Sequence, residues 1–333
     1  MKKLYTTTEY KKRNSRRAKK SFRNKQSRLT KNYQPNKETN NSEPFVRKEI
    51  QNIEAPQEFS FINNTDNVLA YFKEAREFLS DGYPINFDIS KINSLTTDAI
   101  ILQIARIKDE RFHAKTTIHG NAPLNAELKE LFTQSGFYEY VKTNGQKPPK
   151  TDTLIHKITN NKVEPLIAKE ACLVGLRHVF GNEQIFDPLY DILIEVMQNT
   201  NNHAGETRGM YDWWIHIYND PISKTSKYTF LDLGVGIFDS IPAQNFKKTI
   251  GQALGIINNT NLVKPLFNGE IKSRTSRPER GKGIPQVYKS SQHKSFSKFI
   301  MITNDVYVNM KNLETKKLYN NFSGTLFYWE LKK

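Results

Sequence analysis

Two pairs of alternating glycines, Gly234-Val-Gly236 and Gly281-Lys-Gly283, constrain this chain more than any other feature. The first pair follows Tyr228-Thr-Phe-Leu-Asp232, an apolar run that reads as a strand ending in an aspartate. The second follows Arg280 and precedes a stretch from Ile284 that reads as a helix. Glycine at alternate positions lets a backbone pass close to a ligand. At a helix start it leaves N–H groups free to face an anion, which the helix dipole also favours, and Lys282 adds a positive charge there. Neither pair is GxxxxGK[ST] or GxGxxG, so a P-loop and a Rossmann dinucleotide site are both disfavoured.

Two further short motifs flank these glycines. Glu195 and Asn199 stand four apart on a predicted helix (187–203), on one face and one turn apart. A carboxylate there can orient and deprotonate water, and a carboxamide oxygen can ligate Mg²⁺ beside phosphate oxygens. Asp232 can accept the exocyclic amino hydrogens of a purine. Ser323-Gly324-Thr325 opens the last predicted strand, near 324–331.

Taken in order, ExxxN, DxGxG, a basic GxG helix start and a late GT strand resemble the N, G1, G2 and GT elements of the GHKL ATPases, the group of DNA gyrase, the heat-shock chaperone ATPases, histidine kinases and mismatch-repair ATPases. The resemblance covers about 154–333 and implies a two-layer α/β sandwich of the Bergerat type that binds ATP and Mg²⁺. It implies Asn199 as the metal ligand, Glu195 as general base, and Asp232 at adenine with Gly234 and Gly236 shaping its pocket. It further implies Arg280, Gly281, Lys282 and Gly283 at the phosphates, Thr325 supporting the adenine side, and 238–280 as a mobile lid. Arg274, Arg277 and Arg280 in that lid either reach a γ-phosphate or face solvent. His203 is expected to pack or hydrogen-bond locally.

Upstream, about 59–148 reads as a small α/β domain. Helices are predicted at 67–79, 95–107 and 124–133, the last opened by Pro123 and closed by Gly136. Strands are predicted at 84–89, 114–119 and 137–141, an order that favours parallel pairing. Residues 85–107 and Gly120-Asn-Ala-Pro123 resemble STAS domains, in which a serine accepts phosphate from a GHKL kinase. Asp98 stands at the matching place here, with Thr97 beside it, and an aspartate there argues against phosphorelay.

Residues 142–153 read as a linker. Beyond it, helices are expected at 163–180, 187–203 and 284–292, and strands at 213–218, 227–233, 298–303, 305–310 and 324–331. Trp213 and Trp214 alternate faces on a strand, so one is expected in the core and the other half-exposed.

Charge is divided unevenly. Residues 1–40 hold 14 Lys/Arg and 2 acids, whereas the remainder holds 36 and 32. Residues 1–58 are too polar to bury enough surface to offset their chain entropy, and read as a disordered basic arm, or one helical only on contact. Residues 1–45 either bind nucleic acid or an acidic partner, or serve as a solvated tail. No apolar run of membrane-spanning length occurs and no apolar stretch follows the first charges, so neither an anchor nor a secretory signal is expected. The single cysteine, Cys172, reads as a core residue, and a cytoplasmic location is expected.

The resulting expectation is an ATP-binding protein with Mg²⁺-dependent hydrolysis, acting as a nucleotide-controlled switch with a protein partner in a regulatory or defence complex, possible also as a dimer. The alternatives are an ATP-sensing binding module and an anti-sigma-type protein kinase. Histidine autophosphorylation is disfavoured, because His156 lacks the acidic and proline pattern such a residue carries.

Overall fold

The structure is a computed structural model that describes residues 8, 12, 15–17, 19–20, 48–109, 112, 116–143, 145, 154–158, 163–203, 212–241, 258–271 and 283–333, with 154–158 and 201–203 as backbone alone. Its contacts divide the chain into two units, 1–47 and 48–333. In the first unit the described residues are helical and exposed. That corrects the expectation of an arm without structure: Lys, Arg and Ala are good helix formers and need no core to turn.

Residues 48–333 are mixed α/β. The first segment runs β1 (Gln51–Glu54), β2 (Glu58–Phe59), α1 (Thr65–Ser80), β3 (Ile85–Asp88), β4 (Ser94–Leu95), α2 (Thr97–Lys108), β5 (Ile118–Gly120) and α3 (Ala126–Gln134). Strands β1, β3 and β5 pair in that order, all parallel, and β2 pairs with β4 in a separate two-stranded ribbon. Strand β1 lies inside the stretch read as arm. Ile53 fixes it there, being fully buried while its neighbours are not.

Two local expectations are corrected. Residues 137–139 form a 3₁₀ turn and not a strand. Gly136 enters it at φ 81°, and the Phe137 ring packs 4.4 Å from Phe132. Helix α3 is opened by Asn125, whose side-chain oxygen accepts from the Leu128 N–H at 3.1 Å, and not by Pro123. A side-chain cap satisfies an orphan donor, which proline cannot do.

The second segment runs β6 (Leu154–Ile158), α4 (Pro165–Phe180), α5 (Asp187–His203), β7 (Trp213–Asp220), β8 (Thr225–Asp232), a 3₁₀ turn (Asn259–Leu262), α6 (Val263–Phe267), α7 (Gly283–Ser291), β9 (Phe296–Asn309) and β10 (Glu314–Leu331). Its sheet has the order β6-β7-β8-β10-β9, antiparallel throughout. Where two strands were expected, at 298–303 and 305–310, β9 is continuous; Asn304 adopts φ 52° and bends it without breaking it.

Alternation along these strands decides the packing. Trp213, Ile215, Phe230, Phe299, Met301, Phe327 and Trp329 join one core with α4, α5, α6 and α7. Trp214, Leu231, Ile300, Ile302, Leu326 and Tyr328 face the other way and share a core with β1 to α3. Both faces of the sheet are therefore covered, and both Trp213 and Trp214 are buried, against the expectation that one would be half-exposed. The Tyr140 ring lies 5.1 Å from Trp214 and the Phe61 ring 5.1 Å from Phe322. Asp66 accepts from the Tyr319 N–H at 2.7 Å, tying α1 to β10. Cys172 is buried in the helical core, where desolvation pushes its thiol up to about 12.

Part of the segment read as a mobile lid is built into this core. Leu262, Val263, Leu266 and Phe267 are buried, Phe267 stacks on Tyr288 at 4.6 Å, and Asn259 donates to Asp305 at 2.6 Å. Residues 242–257 and 272–280 of that segment, with Arg274 and Arg277, lie outside the described residues. Among the described residues, no helix is long and apolar enough to cross a membrane.

A sheet packed on both faces should lose its two layers together. We expect residues 48–333 to unfold in urea in one transition followed by tryptophan fluorescence. Phe322→Ala, at the seam, should cost about 3–5 kcal/mol. Two separated transitions would show that the layers are independent.

Candidate functional site

Helix α5 presents its apolar stripe, Leu189, Ile192, Leu193, Val196 and Met197, to the helical core. That choice of face leaves Asp191, Glu195 and Asn199, each four residues apart, along one adjoining edge. The start of α7 lies against this edge. A methyl group on Gly283 would stand 2.8 Å from Asn199 Oδ1 and 2.9 Å from Glu195 Oε2, so no side chain fits there. Asn199 Nδ2 is buried and has no hydrogen-bond partner. Burial, and then the neighbouring Asp191, raise the Glu195 carboxyl above its ordinary range.

One residue further along α5, Thr200 turns to the sheet. Its hydroxyl donates to the Val196 carbonyl at 3.2 Å and lies 3.5 Å from Asp232 Oδ2. Asp232 ends β8 opposite Thr325 of β10, and its Oδ1 accepts from the Gly234 N–H at 2.8 Å. It is 7% exposed, and desolvation pushes its carboxyl up to about 6, against the opposing pull of hydrogen bonds from Gly234, Thr200 and Thr325.

The loop after Asp232 is held from β9. Asn304 Nδ2 donates to the Val235 carbonyl at 2.9 Å, and its Oδ1 accepts from the Phe238 N–H at 3.0 Å. Thr303 Oγ1 accepts from the Ile237 N–H at 2.9 Å and donates to the Gly324 carbonyl at 3.0 Å. Gly236, at φ 86°, has no room for a side chain, since a methyl group would lie 2.4 Å from Asn304 Oδ1. Gly324, at φ 142°, passes equally close to the Asp232 carbonyl.

Of the residues singled out from sequence, Glu195, Asn199 and Gly283 thus meet at one place, and Asp232, Gly234 and Thr325 meet at another, with Thr200 joining the two through α5. Gly236 shapes the loop between them. Arg280, Gly281 and Lys282 lie outside the described residues, and His203 is described as backbone alone. Thr200, Thr303 and Asn304 were missed. The signal for the last two was Thr303-Asn304-Asp305, a polar triplet interrupting an otherwise apolar strand.

Two upstream residues have other roles. Asp98 is fully buried, and its Oδ2 accepts from the N–H groups of Phe61 at 2.7 Å and Ile62 at 3.1 Å. It anchors the turn before α1. The position read as a phosphoacceptor is closed to an incoming phosphoryl donor, and Thr97 beside it is buried as well. His156 lies in β6, paired with β7, not on a helix.

The Asp232 carboxyl ties stability to pH with a defined sign. Because folding raises its pKa from 3.8 to about 6, the folded chain binds its proton more tightly than the unfolded chain does. Its contribution is most favourable below about pH 4 and is lost as pH rises through about 6. Asp232→Asn keeps an acceptor for Gly234 but carries no charge. We expect it to be more stable than the parent by about 1–3 kcal/mol at pH 8 and equal to it near pH 4, by urea denaturation at both values.

Neither a family model nor a curated protein matches this chain, which leaves the geometry around Asp232, Asn199 and Gly283 as the ground on which a function can be read.

Proposed function

We propose that residues 154–333 form a GHKL-type domain that binds ATP with Mg²⁺ and hydrolyses it slowly, serving as a nucleotide-controlled switch toward a protein partner. The observation that carries this reading is the meeting of a carboxylate, a carboxamide and a side-chain-free helix start at Gly283. The buried acceptor Asp232 stands one helix residue away, across Thr200. Four separate stretches of sequence converge as one triphosphate site would require. The antiparallel sheet with α4, α5 and α7 on one face is compatible with a Bergerat sandwich, and the parallel β1-β3-β5 layer with a STAS-like unit.

The residues present suit the ligand. Asn199 Nδ2 lacks a partner in a buried place, a cost that a bound polar group would remove. Among the described residues no three His, Cys, Asp or Glu side chains are grouped to hold a metal. A cation here would therefore take the Asn199 carboxamide together with phosphate and water, the mode Mg²⁺ prefers. ATP would bring the reactive phosphoanhydride, with Mg²⁺ to neutralise its charge. Glu195, made more basic by burial beside Asp191, would accept a proton from water. Asp232 would accept from a purine amino group, held in place by Gly234, Thr200 and Thr325. The helix dipole of α7 would favour phosphate at Gly283.

A kinase acting on its own N-terminal segment is disfavoured by the burial of Asp98 and Thr97. A role as ATP sensor with little turnover shares the same site and differs only in Glu195 activity.

Phosphate release with and without EDTA separates these readings. Glu195→Ala should lower turnover about 10²–10⁴-fold while leaving ATP binding in place, as expected for a general base. Asn199→Ala should abolish the Mg²⁺ dependence of binding. The rate should fall with decreasing pH along a limb displaced above the ordinary carboxylate range, and Glu195→Gln should remove that limb. Wild-type turnover at the level of buffer, with tight ATP binding, would leave the sensor; absence of ATP binding would end both.

A further inference from the structure

The glycine loop has a second side. Facing away from Asp232, a cleft of about 360 Å³ opens between this loop and the first segment, its walls including Arg76 of α1, Arg106 of α2, Asp109, Phe112, Gly234 and Asp239. None of Glu195, Asn199 or Asp232 lines it. It is therefore distinct from the nucleotide site and shares one wall with it.

We propose that this cleft binds a small phosphate monoester carrying an ammonium or hydroxyl group, and that its occupancy is felt at the glycine loop. Arg76 is exposed and has no hydrogen bond or ion pair among the described residues. A guanidinium so placed suits phosphate, whose oxygens match its planar fork. The Arg106 guanidinium lies 5.8 Å from the ring centres of both Phe112 and Phe322, which orients its plane in the wall. The carboxylates of Asp109 and Asp239 stand in the same cleft and call for donors. Two cations and two anions together disfavour a plain polyanion such as a triphosphate and favour a ligand with charge or donors of both kinds. The volume is at the low end for ligand cavities, which selects a compact molecule.

The link to the nucleotide site is short. Gly234 lines the cleft, and its N–H donates to Asp232 Oδ1 at 2.8 Å. A ligand that shifts Gly234 must lengthen or redirect the bond that orients Asp232. This half of the proposal rests on the ATP reading above; the binding half does not.

Glucosamine 6-phosphate, phosphoserine and inorganic phosphate, none of which offers a purine to Asp232, can be titrated calorimetrically into the full chain. The first two should bind the wild type and Asn199→Ala equally. Arg76→Glu, a surface change, should weaken them at least tenfold, and Arg106→Lys, which keeps the charge but not the fork, should weaken them also. Saturating glucosamine 6-phosphate should change the ATP Kd of the wild type severalfold and leave that of Arg76→Glu unchanged. The proposal is overturned if neither probe binds, if inorganic phosphate binds as well as they do, if Arg76→Glu leaves binding intact, or if Asn199→Ala abolishes it. Wild type that binds the probes but not ATP would overturn the ATP reading and the coupling, and retain the cleft as a site.

Discussion

A buried carboxylate at the end of β8 organises the second half of this protein. Asp232 has almost no access to water, so its oxygens must be satisfied by protein, and each partner comes from a different element: Gly234 from the loop, Thr200 from α5, Thr325 from β10. Burying such a group raises its pKa and works against folding at neutral pH. A fold that keeps a destabilising charge at the junction of three elements has placed it where a ligand with complementary donors can use it.

The same economy governs the loop that follows. Asn304 and Thr303 stand in the middle of an apolar strand, where polar side chains are costly unless bonded. All their capacity goes to the backbone between Val235 and Phe238 and to Gly324. Asn304 is itself held at φ 52°, a conformation asparagine tolerates better than most residues. The glycine loop is thus a fixed structure bolted to β9, and Gly236 is glycine because Asn304 occupies the space a side chain would need. Its outer side forms a wall for the first segment, so the two halves of the chain meet at the element closest to the proposed chemistry.

The first segment owes its place to the second face of the sheet. An antiparallel sheet can leave one face in water, but Trp214, Leu231, Ile300, Ile302 and Leu326 make this one apolar on both sides. The parallel layer of β1, β3 and β5 with its helices covers it, and Asp98 serves that packing by capping the turn at Phe61 and Ile62. A residue that the STAS resemblance makes a phosphoacceptor is here a structural anchor.

Much of this was legible in the residues themselves. The 3.6-residue spacing of Leu189, Ile192, Leu193, Val196 and Met197 sets which face of α5 is buried, and so aligns Glu195 with Asn199; the glycines at 234, 236 and 283 mark backbone with no room for side chains. Periodicity and glycine chemistry are local, and a sequence records them directly. Which distant segments supply the opposing surfaces is not local. That Gly283 would meet Asn199, that Asn304 would fill the space beside Gly236, that Trp214 would be covered, and that part of the presumed lid would be core depended on chain segments dozens of residues apart, brought together because only their joint burial removes enough apolar surface from water.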